Sequence, residues 1–244
     1  MKNPISGNAW NEERKRIRAA YEERDRLMPY ENWETNIYHP RHPVGQLFHE
    51  HNHDFLLEGL NFLNIDLRTL RVLDVGCGYG YWLRYLIEIG ANPANLTGID
   101  LSPERISFAE RMNPSITWLQ QEEITLPFDS ESFDIVLQVL VFSSITDEET
   151  RRILADEINR VTRPGGNILW VDQRKSRSGS LTGFSRAQAL EYFSGGKIIY
   201  SRPVQPRYFR RLHGKTAWLA KTIHWFTKAG CESWFLIIRK EDIS

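Results

Sequence analysis

Three observations predict an α/β fold built on an open, largely parallel sheet. Short apolar runs alternate with helix-length segments between residues 70 and 172. The first run, Val72, Leu73, Asp74 and Val75, leads directly into a glycine turn, Gly76-Cys77-Gly78-Tyr79-Gly80, and a helix start at Tyr81. A second run, Leu96 to Ile99, closes on an acid, Asp100. Strand, glycine turn and helix in that order form the usual first unit of a nucleotide-cofactor site, because the glycines let a ligand approach the backbone and the helix N-terminus offers free N–H groups.

Residues 10–28 are mostly charged, with Trp10, Ile17, Ala20, Tyr21 and Leu27 as apolar anchors. They predict a solvated helix with Glu/Arg pairs three and four apart, either a plain N-terminal helix or a lid over the cofactor. Residues 29–44 hold Pro29, Pro40 and Pro43 and are irregular. Residues 45–64 place Leu47, Phe48, Phe55, Leu56, Leu60 and Leu63 at helical spacing. After the glycine turn a helix runs to Gly90, and a second, opened by Ser102 and Pro103, runs to Met112. Residues 116–120 and 133–138 read as strands, the latter apolar enough to be central. Thr146 with Glu149 predicts a capping box for a helix to Val161. Arg163-Pro164-Gly165-Gly166 reads as a turn before a strand at 167–172. Beyond it come a helix at 185–193, a strand at 197–201, a basic stretch around Tyr208 and Phe209, an amphipathic helix at 215–229 and a last strand at 233–238. The basic stretch is a solvated loop or an anion contact. The amphipathic helix packs on the sheet, or its Trp residues make a dimer face or touch a lipid headgroup.

The glycine spacing selects the cofactor. A dinucleotide turn requires G-x-G-x-x-G, and the third position here is Tyr81. The string from Asp74 to Gly80, D-x-G-x-G-x-G, instead resembles the first motif of the class I S-adenosylmethionine (SAM)-dependent methyltransferases. Phe133-Asp134-Ile135-Val136 and Arg163-Pro164-Gly165-Gly166 resemble later segments of the same family. The match runs in order over residues 70–172.

The resemblance implies a seven-stranded Rossmann-like sheet, mostly parallel with the last strand antiparallel, helices on both faces, and a helical N-terminal cap. The cap is expected at 1–64 and the core at 65–244, with an inserted acceptor segment near 202–230. It implies SAM as cofactor and S-adenosylhomocysteine as product, held by Asp74, Gly76, Cys77, Gly78, Gly80 and Trp82 around the turn and by Asp100 and Leu101 after the second strand. Gln121 to Phe128 resembles the segment in which an acid meets the adenine amino group. The family's Asp-Ala is replaced here by Glu122-Glu123, with Glu122 favoured and Ile124 expected against the ring. Gln138 falls at a strand's C-terminal end, where such sheets bind ligands.

A hydroxyl acceptor needs a base. His42 and His39, in the aromatic loop, are the first candidates, and Asp172 is the second, as base or metal ligand. Tyr30, Trp33, Tyr38, Phe142 and Arg174 are expected to bind the acceptor. O-methylation of a saccharide or other natural product is the reading the resemblance favours, with an N- or C-methyltransferase as the alternative. Gln138-Val139-Leu140-Val141 stands where adenine-amine methyltransferases carry an Asn/Asp-Pro-Pro-aromatic motif, which disfavours nucleic acid.

Composition agrees. Among 244 residues, Lys+Arg and Asp+Glu both number 31, so no global charge draws the protein to nucleic acid or an anionic membrane. No apolar run is long enough to span a bilayer, and residues 1–10 lack a signal core. Two cysteines suit a reducing, cytoplasmic setting. A monomer or homodimer is expected. Three rivals remain. A nicotinamide oxidoreductase fails at Tyr81 and lacks any Tyr-x-x-x-Lys. A non-catalytic SAM-binding scaffold keeps the fold without transfer. A metal hydrolase would use His49, His51 and His53, but the run is not H-E-x-x-H and no divalent metal is indicated.

Overall fold

The computed structural model describes residues 7–32, 34–174, 182–206 and 231–241. Its centre is a seven-stranded sheet: β1 (Val72–Val75), β2 (Leu96–Asp100), β3 (Thr117–Gln120), β4 (Phe133–Val139), β5 (Thr162–Gln173), β6 (Gly196–Pro206) and β7 (Cys231–Lys240). The strand order is β3-β2-β1-β4-β5-β7-β6. β1 to β5 are parallel, and β7 lies antiparallel between β5 and β6. The order therefore reverses between β1 and β4, which pair directly, Val75 beside Gln138. In an open α/β sheet this reversal opens a crevice beyond the C-terminal strand ends.

The near-continuous apolar runs of β1, β4 and β5 are buried on both faces, as parallel central strands must be. On one face, Leu73, Val75, Val136, Ile168 and Trp170 pack with α5 (Glu148–Val161), α6 (Arg186–Tyr192) and two anchors, Trp10 and Ile17, of α1 (Gly7–Leu27). On the other, Val72, Ile135, Leu137 and Phe235 pack with α2 (Pro43–Leu63) and α3 (Tyr81–Glu88). Phe55 of α2 lies 5.1 Å from Phe235 and 5.6 Å from Trp82, ring to ring. The two N-terminal helices thus share the cores of the sheet. α4 (Pro103–Met112) begins as the sequence predicts, with the Ser102 hydroxyl accepting from the Arg105 N–H.

Local readings change in three places. The cap of α5 is Asp147, whose carboxylate accepts from the Thr150 N–H at 2.7 Å. Thr146 is instead turned to Glu13 of α1, whose carboxylate accepts from its N–H and its hydroxyl. Arg163-Pro164-Gly165-Gly166 does not precede β5 but is part of it. The pairing jumps from Phe133 beside Thr162 to Ile135 beside Asn167, so the extra residues bulge, with Gly165 at φ +68°. β6 is longer than the apolar run that signals it, because Tyr200 to Val204 continue the ladder with β7. The basic stretch from Arg207 and the predicted helix at 215–229 lie outside the described residues.

Candidate functional site

The glycine turn sits at the crevice. Gly76 and Gly78 have φ of +73° and +54°, where an L side chain is strained. A Cβ on Gly76 would also stand 2.5 Å from Val141 Cγ2, whereas one on Gly78 would meet nothing within 4 Å. The first glycine thus lets the segment after β4 close on the turn, and the second leaves an open cradle. The turn is tied to β2, because the N–H groups of Gly76 and Cys77 both donate to the Ile99 carbonyl at 2.8 and 3.1 Å. Asp100, next along β2, accepts from the Gly78 N–H through Oδ2 and from the Ser102 N–H through Oδ1, each at 2.9 Å. Ionised carboxylate oxygens keep acceptor capacity beyond these bonds. Asp74 is buried. Burial and the Asp100 charge raise its carboxyl well above the usual range, and neither oxygen hydrogen-bonds a described residue.

A cavity of about 190 Å³ opens over this turn. Gly76, Gly78, Asp100, Leu101, Gln121 and the 139–141 segment form its floor and sides, and Trp10, Ile17, Tyr21 and Arg24 of α1 form its roof. α1 is held down along its length. The Trp10 indole and the Arg14 guanidinium donate to the Glu122 carbonyl. Arg16 donates to the Ser144 carbonyl. Asp25 and the buried Arg105 make a two-pronged pair at 2.8 Å, and Arg105 stacks over Tyr21 at 4.3 Å.

The residues expected around the cofactor divide. Gly76, Gly78, Asp100 and Leu101 line this cavity. Gly80 has φ +74° and makes room for the Trp118 ring, which a Cβ would meet at 2.3 Å. Glu122 and Glu123 do not line it: both are exposed, and only the Glu122 carbonyl is engaged, by α1. Gln121, one residue earlier, supplies the side chain, 6% exposed, with its Nε2 unpartnered among the described residues. The peptide turns after β3, which puts 121 inward and 122–123 into water. Trp82 packs with Phe55 and Ile124 joins the opposite core, because both point onto the sheet rather than over its end. Gln138 is buried and holds the crevice loop instead, its Oε1 accepting from the Val141 N–H at 3.2 Å. Cys77 is buried too, and that burial pushes its thiol up.

A second cavity, about 400 Å³, adjoins the first and shares Arg24 and Leu140 with it. Its wall is mainly rings: Tyr30, Tyr38, Phe48, Tyr79 and Tyr81. Tyr30 stands 4.5 Å from Tyr79 and 4.6 Å from Phe108. Leu140, between the cavities, has φ +61°, a conformation that a leucine keeps only where its surroundings impose it. Here its N–H donates to the Val171 carbonyl at 2.8 Å and its carbonyl accepts from the Ser144 hydroxyl at 2.9 Å.

Tyr30 and Tyr38 line this cavity, but the other candidates for acceptor binding and catalysis lie elsewhere. Phe142 is fully buried against Tyr192 and Phe193, where the turn after β4 folds back onto α6. Arg174 lies over the Trp234 ring at 4.3 Å, and Trp33 falls outside the described residues. His42 is the N-cap of α2, its Nδ1 accepting from the Val44 N–H, and His39 Nδ1 likewise accepts from the Arg41 N–H. Asp172 is buried under the 142–144 turn, accepting from the N–H groups of Ser143 and Gln173, with its pKa pushed up to about 6 by burial. The histidine that does line the cavity is His49. Its neighbour on the helix face, His53, stacks flat on Tyr85 at 3.7 Å. Among the described residues no three His, Cys, Asp or Glu side chains gather as a metal site, and no helix is long and apolar enough to cross a membrane.

Gln121, His49, Arg24 and Leu140 are the wall residues the sequence did not single out for these places. His49 was visible at helical spacing in an apolar face, and that spacing, read toward a cavity rather than a metal, was the available signal. Nothing in the sequence marks the other three.

Comparison with known proteins agrees with this geometry. A family model described as a methyltransferase domain matches residues 72–166. A phthiotriol/phenolphthiotriol dimycocerosates methyltransferase of Mycobacterium leprae is 36% identical over 114 residues, 46% of this chain and 41% of that protein. A fatty-acid O-methyltransferase of Mycolicibacterium smegmatis is 36% identical over 111 residues, 45% of this chain and 39% of that protein. The chain thus spans about two-fifths of the length of the curated relatives it matches. Among solved structures, the PH0226 protein of Pyrococcus horikoshii superposes with a TM-score of 0.61 at 12% identity, over 91% of this chain and 99% of that one. A SAM-dependent methyltransferase of Mesorhizobium loti gives 0.56 at 17% identity, over 75% and 96%. Residues 72–166 thus match a methyltransferase domain, and the sheet has the fold of a solved SAM-dependent methyltransferase.

Proposed function

We propose that the protein transfers a methyl group from SAM to a hydroxyl of a small natural product whose body is mostly apolar. One observation carries this reading: two cavities of different chemistry meet at Arg24 and Leu140, beyond the ends of β1 and β4. One is walled by a glycine cradle and a carboxylate, the other by rings.

The donor set of the first cavity fits SAM. Asp100 can accept from ribose hydroxyls, and Gln121 Nε2 is a buried donor without a described partner. Arg24 and Arg105 are cations for a carboxylate, and Asp74 is a buried acid on the strand that feeds the turn. Bound there, SAM supplies an activated methyl on a sulfonium, a good leaving group. The protein's own share is to hold two partners in line and exclude water, which can contribute about 7–11 kcal/mol in ideal cases. The roof made by α1 and the ring wall around the acceptor serve both ends.

A lipid-like or aromatic body suits the ring wall, and two relatives are named for dimycocerosates and for fatty acids. A saccharide is the more polar case of the same reading. Calorimetric titration with SAM, S-adenosylhomocysteine and NADH tests it. The two adenosyl ligands should bind and NADH should not, and Asp100→Ala should weaken SAM. Equal SAM affinity for wild type and variant would sink the proposed cofactor site. SAM binding without transfer to any of a panel of hydroxylated lipids and phenols would instead favour a non-catalytic SAM-binding protein.

A further inference from the structure

The acceptor cavity contains one imidazole, and its setting is specific. His49 projects from α2 and its Nε2 lies 2.9 Å from the Tyr38 carbonyl oxygen. A carbonyl only accepts, so Nε2 carries the hydrogen and the neutral ring keeps its lone pair on Nδ1. No described residue hydrogen-bonds that nitrogen. The ring is fixed edge-on to Tyr81 at 4.5 Å and to Phe48 at 6.1 Å. Tyr81 lines the same cavity, and its hydroxyl is buried without a partner among the described residues. An oriented base and an idle donor therefore flank one ring-walled space.

We propose that His49 is the general base of the transfer, taking the proton from a phenol-type hydroxyl seated among the rings of this cavity. The inference rests on the methyltransferase reading above and deepens it by naming the acceptor class. The hydroxyl O–H bond breaks and its proton passes to Nδ1. The oxygen's electron pair forms the bond to the methyl carbon, while the pair of the broken methyl–sulfur bond stays on sulfur as the neutral thioether. The imidazolium then returns its proton to water.

Acidity decides between acceptor classes. Burial lowers the His49 pKa, and His53, His39 and Arg84 lower it further, while the Tyr38 carbonyl works the other way. A weak imidazole base is matched to an acidic hydroxyl, because proton transfer becomes steeply unfavourable as the pKa gap widens. A phenol, with a pKa near ~10, is close enough. A saccharide or alkyl hydroxyl is far less acidic.

The test uses para-nitrophenol, whose phenolate has a visible band its neutral form lacks, added to the full chain with S-adenosylhomocysteine present. On a pH titration, the bound phenol should ionise at a lower pH in the wild type than in His49→Gln. His49→Gln should bind S-adenosylhomocysteine unchanged. With a transferable phenol, turnover should fall by about 10²–10⁴-fold, the range for losing a general base. Nitrogen-15 spectra of the wild type give a readout that needs no variant: the Nδ1 signal of one neutral histidine, protonated on Nε2, should shift when para-nitrophenol is added and its hydroxyl donates to that nitrogen. Absence of phenol binding to the wild type, equal ionisation of the bound phenol in wild type and His49→Gln, or an Nδ1 signal that para-nitrophenol leaves unmoved would each overturn the assignment. Failure of S-adenosylhomocysteine to bind the wild type is a different result and refutes the methyltransferase reading itself.

Discussion

The two cavities are built by opposite strategies. The cofactor side draws its floor from consecutive residues at the ends of neighbouring strands: Gly76 and Gly78 after β1, Asp100 and Leu101 after β2, Gln121 after β3, and Val139 to Val141 after β4. Strand pairing alone brings these groups together. The acceptor side takes Tyr30 and Tyr38 from an irregular loop, His49 from α2, Tyr79 and Tyr81 from the glycine turn and α3, and Glu232 and Ser233 from β7. Only packing of distant segments makes that wall. A site made by the sheet is legible as motifs, whereas a site made by packing is not.

The largest effect should come from breaking the sheet-made side. Gly76→Ala places a Cβ against Val141 and forces an L residue to φ +73°. Strain and overpacking together should cost about 2–6 kcal/mol. Urea melts should show a lowered midpoint, and calorimetry a loss of SAM binding.

Next comes the pair that joins the two sides. Asp25 lines the acceptor cavity and Arg105 the cofactor cavity. Asp25→Ala leaves a buried guanidinium without its partner, a loss of about 3–5 kcal/mol for buried pairs, here at the lower end because Asp25 keeps some access to water. Stability and SAM affinity should fall together. If SAM affinity is unchanged, the roof over the cofactor does not depend on this pair.

Asp172 sharpens the comparison through pH. Its folded pKa is raised from 3.8 to about 6, so the folded state holds the proton more tightly than the unfolded chain. The associated stability is complete below pH 3.8, is lost as pH rises to about 6, and stays lost above it. The shift corresponds to about 3 kcal/mol. Asp172→Asn should therefore flatten the dependence of unfolding free energy on pH, relative to wild type, across that window. It should leave SAM affinity nearly intact, since Asp172 lines neither cavity.

The smallest effect is expected at a site outside both cavities. Glu58 of α2 accepts from Tyr200 and Arg202 of β6 at an exposed edge. Glu58→Ala should change stability by no more than about 1 kcal/mol, as exposed pairs do, and leave binding of cofactor and phenol unchanged. A larger effect on phenol binding would mean that α2 transmits its packing to His49.

Legibility in the sequence follows the same division. The glycine turn, Asp100 and the central strands could be read because their chemistry is local: a left-handed turn requires glycine, and a strand buried on both faces requires a continuous apolar run. The sequence favoured Glu122, whereas Gln121 lines the cavity, because the chain's exit from β3 decides which side chain faces inward. The reading slipped at Asp147, where Thr146 is drawn to Glu13 from a helix 133 residues away in sequence. His39 and His42 looked free because their loop is aromatic, yet Nδ1 of each ring accepts from a local N–H group.

By itself, then, the sequence determined the sheet and its glycine cradle, since backbone conformation and hydrophobic pattern are written residue by residue. The tertiary structure decided that α1 roofs the glycine-turn cavity, that Leu140 stands between two cavities, and that His49 rather than His39 or His42 lines the ring-walled one. Those outcomes depend on which surfaces bury one another, a property of distant pairs that no local pattern encodes.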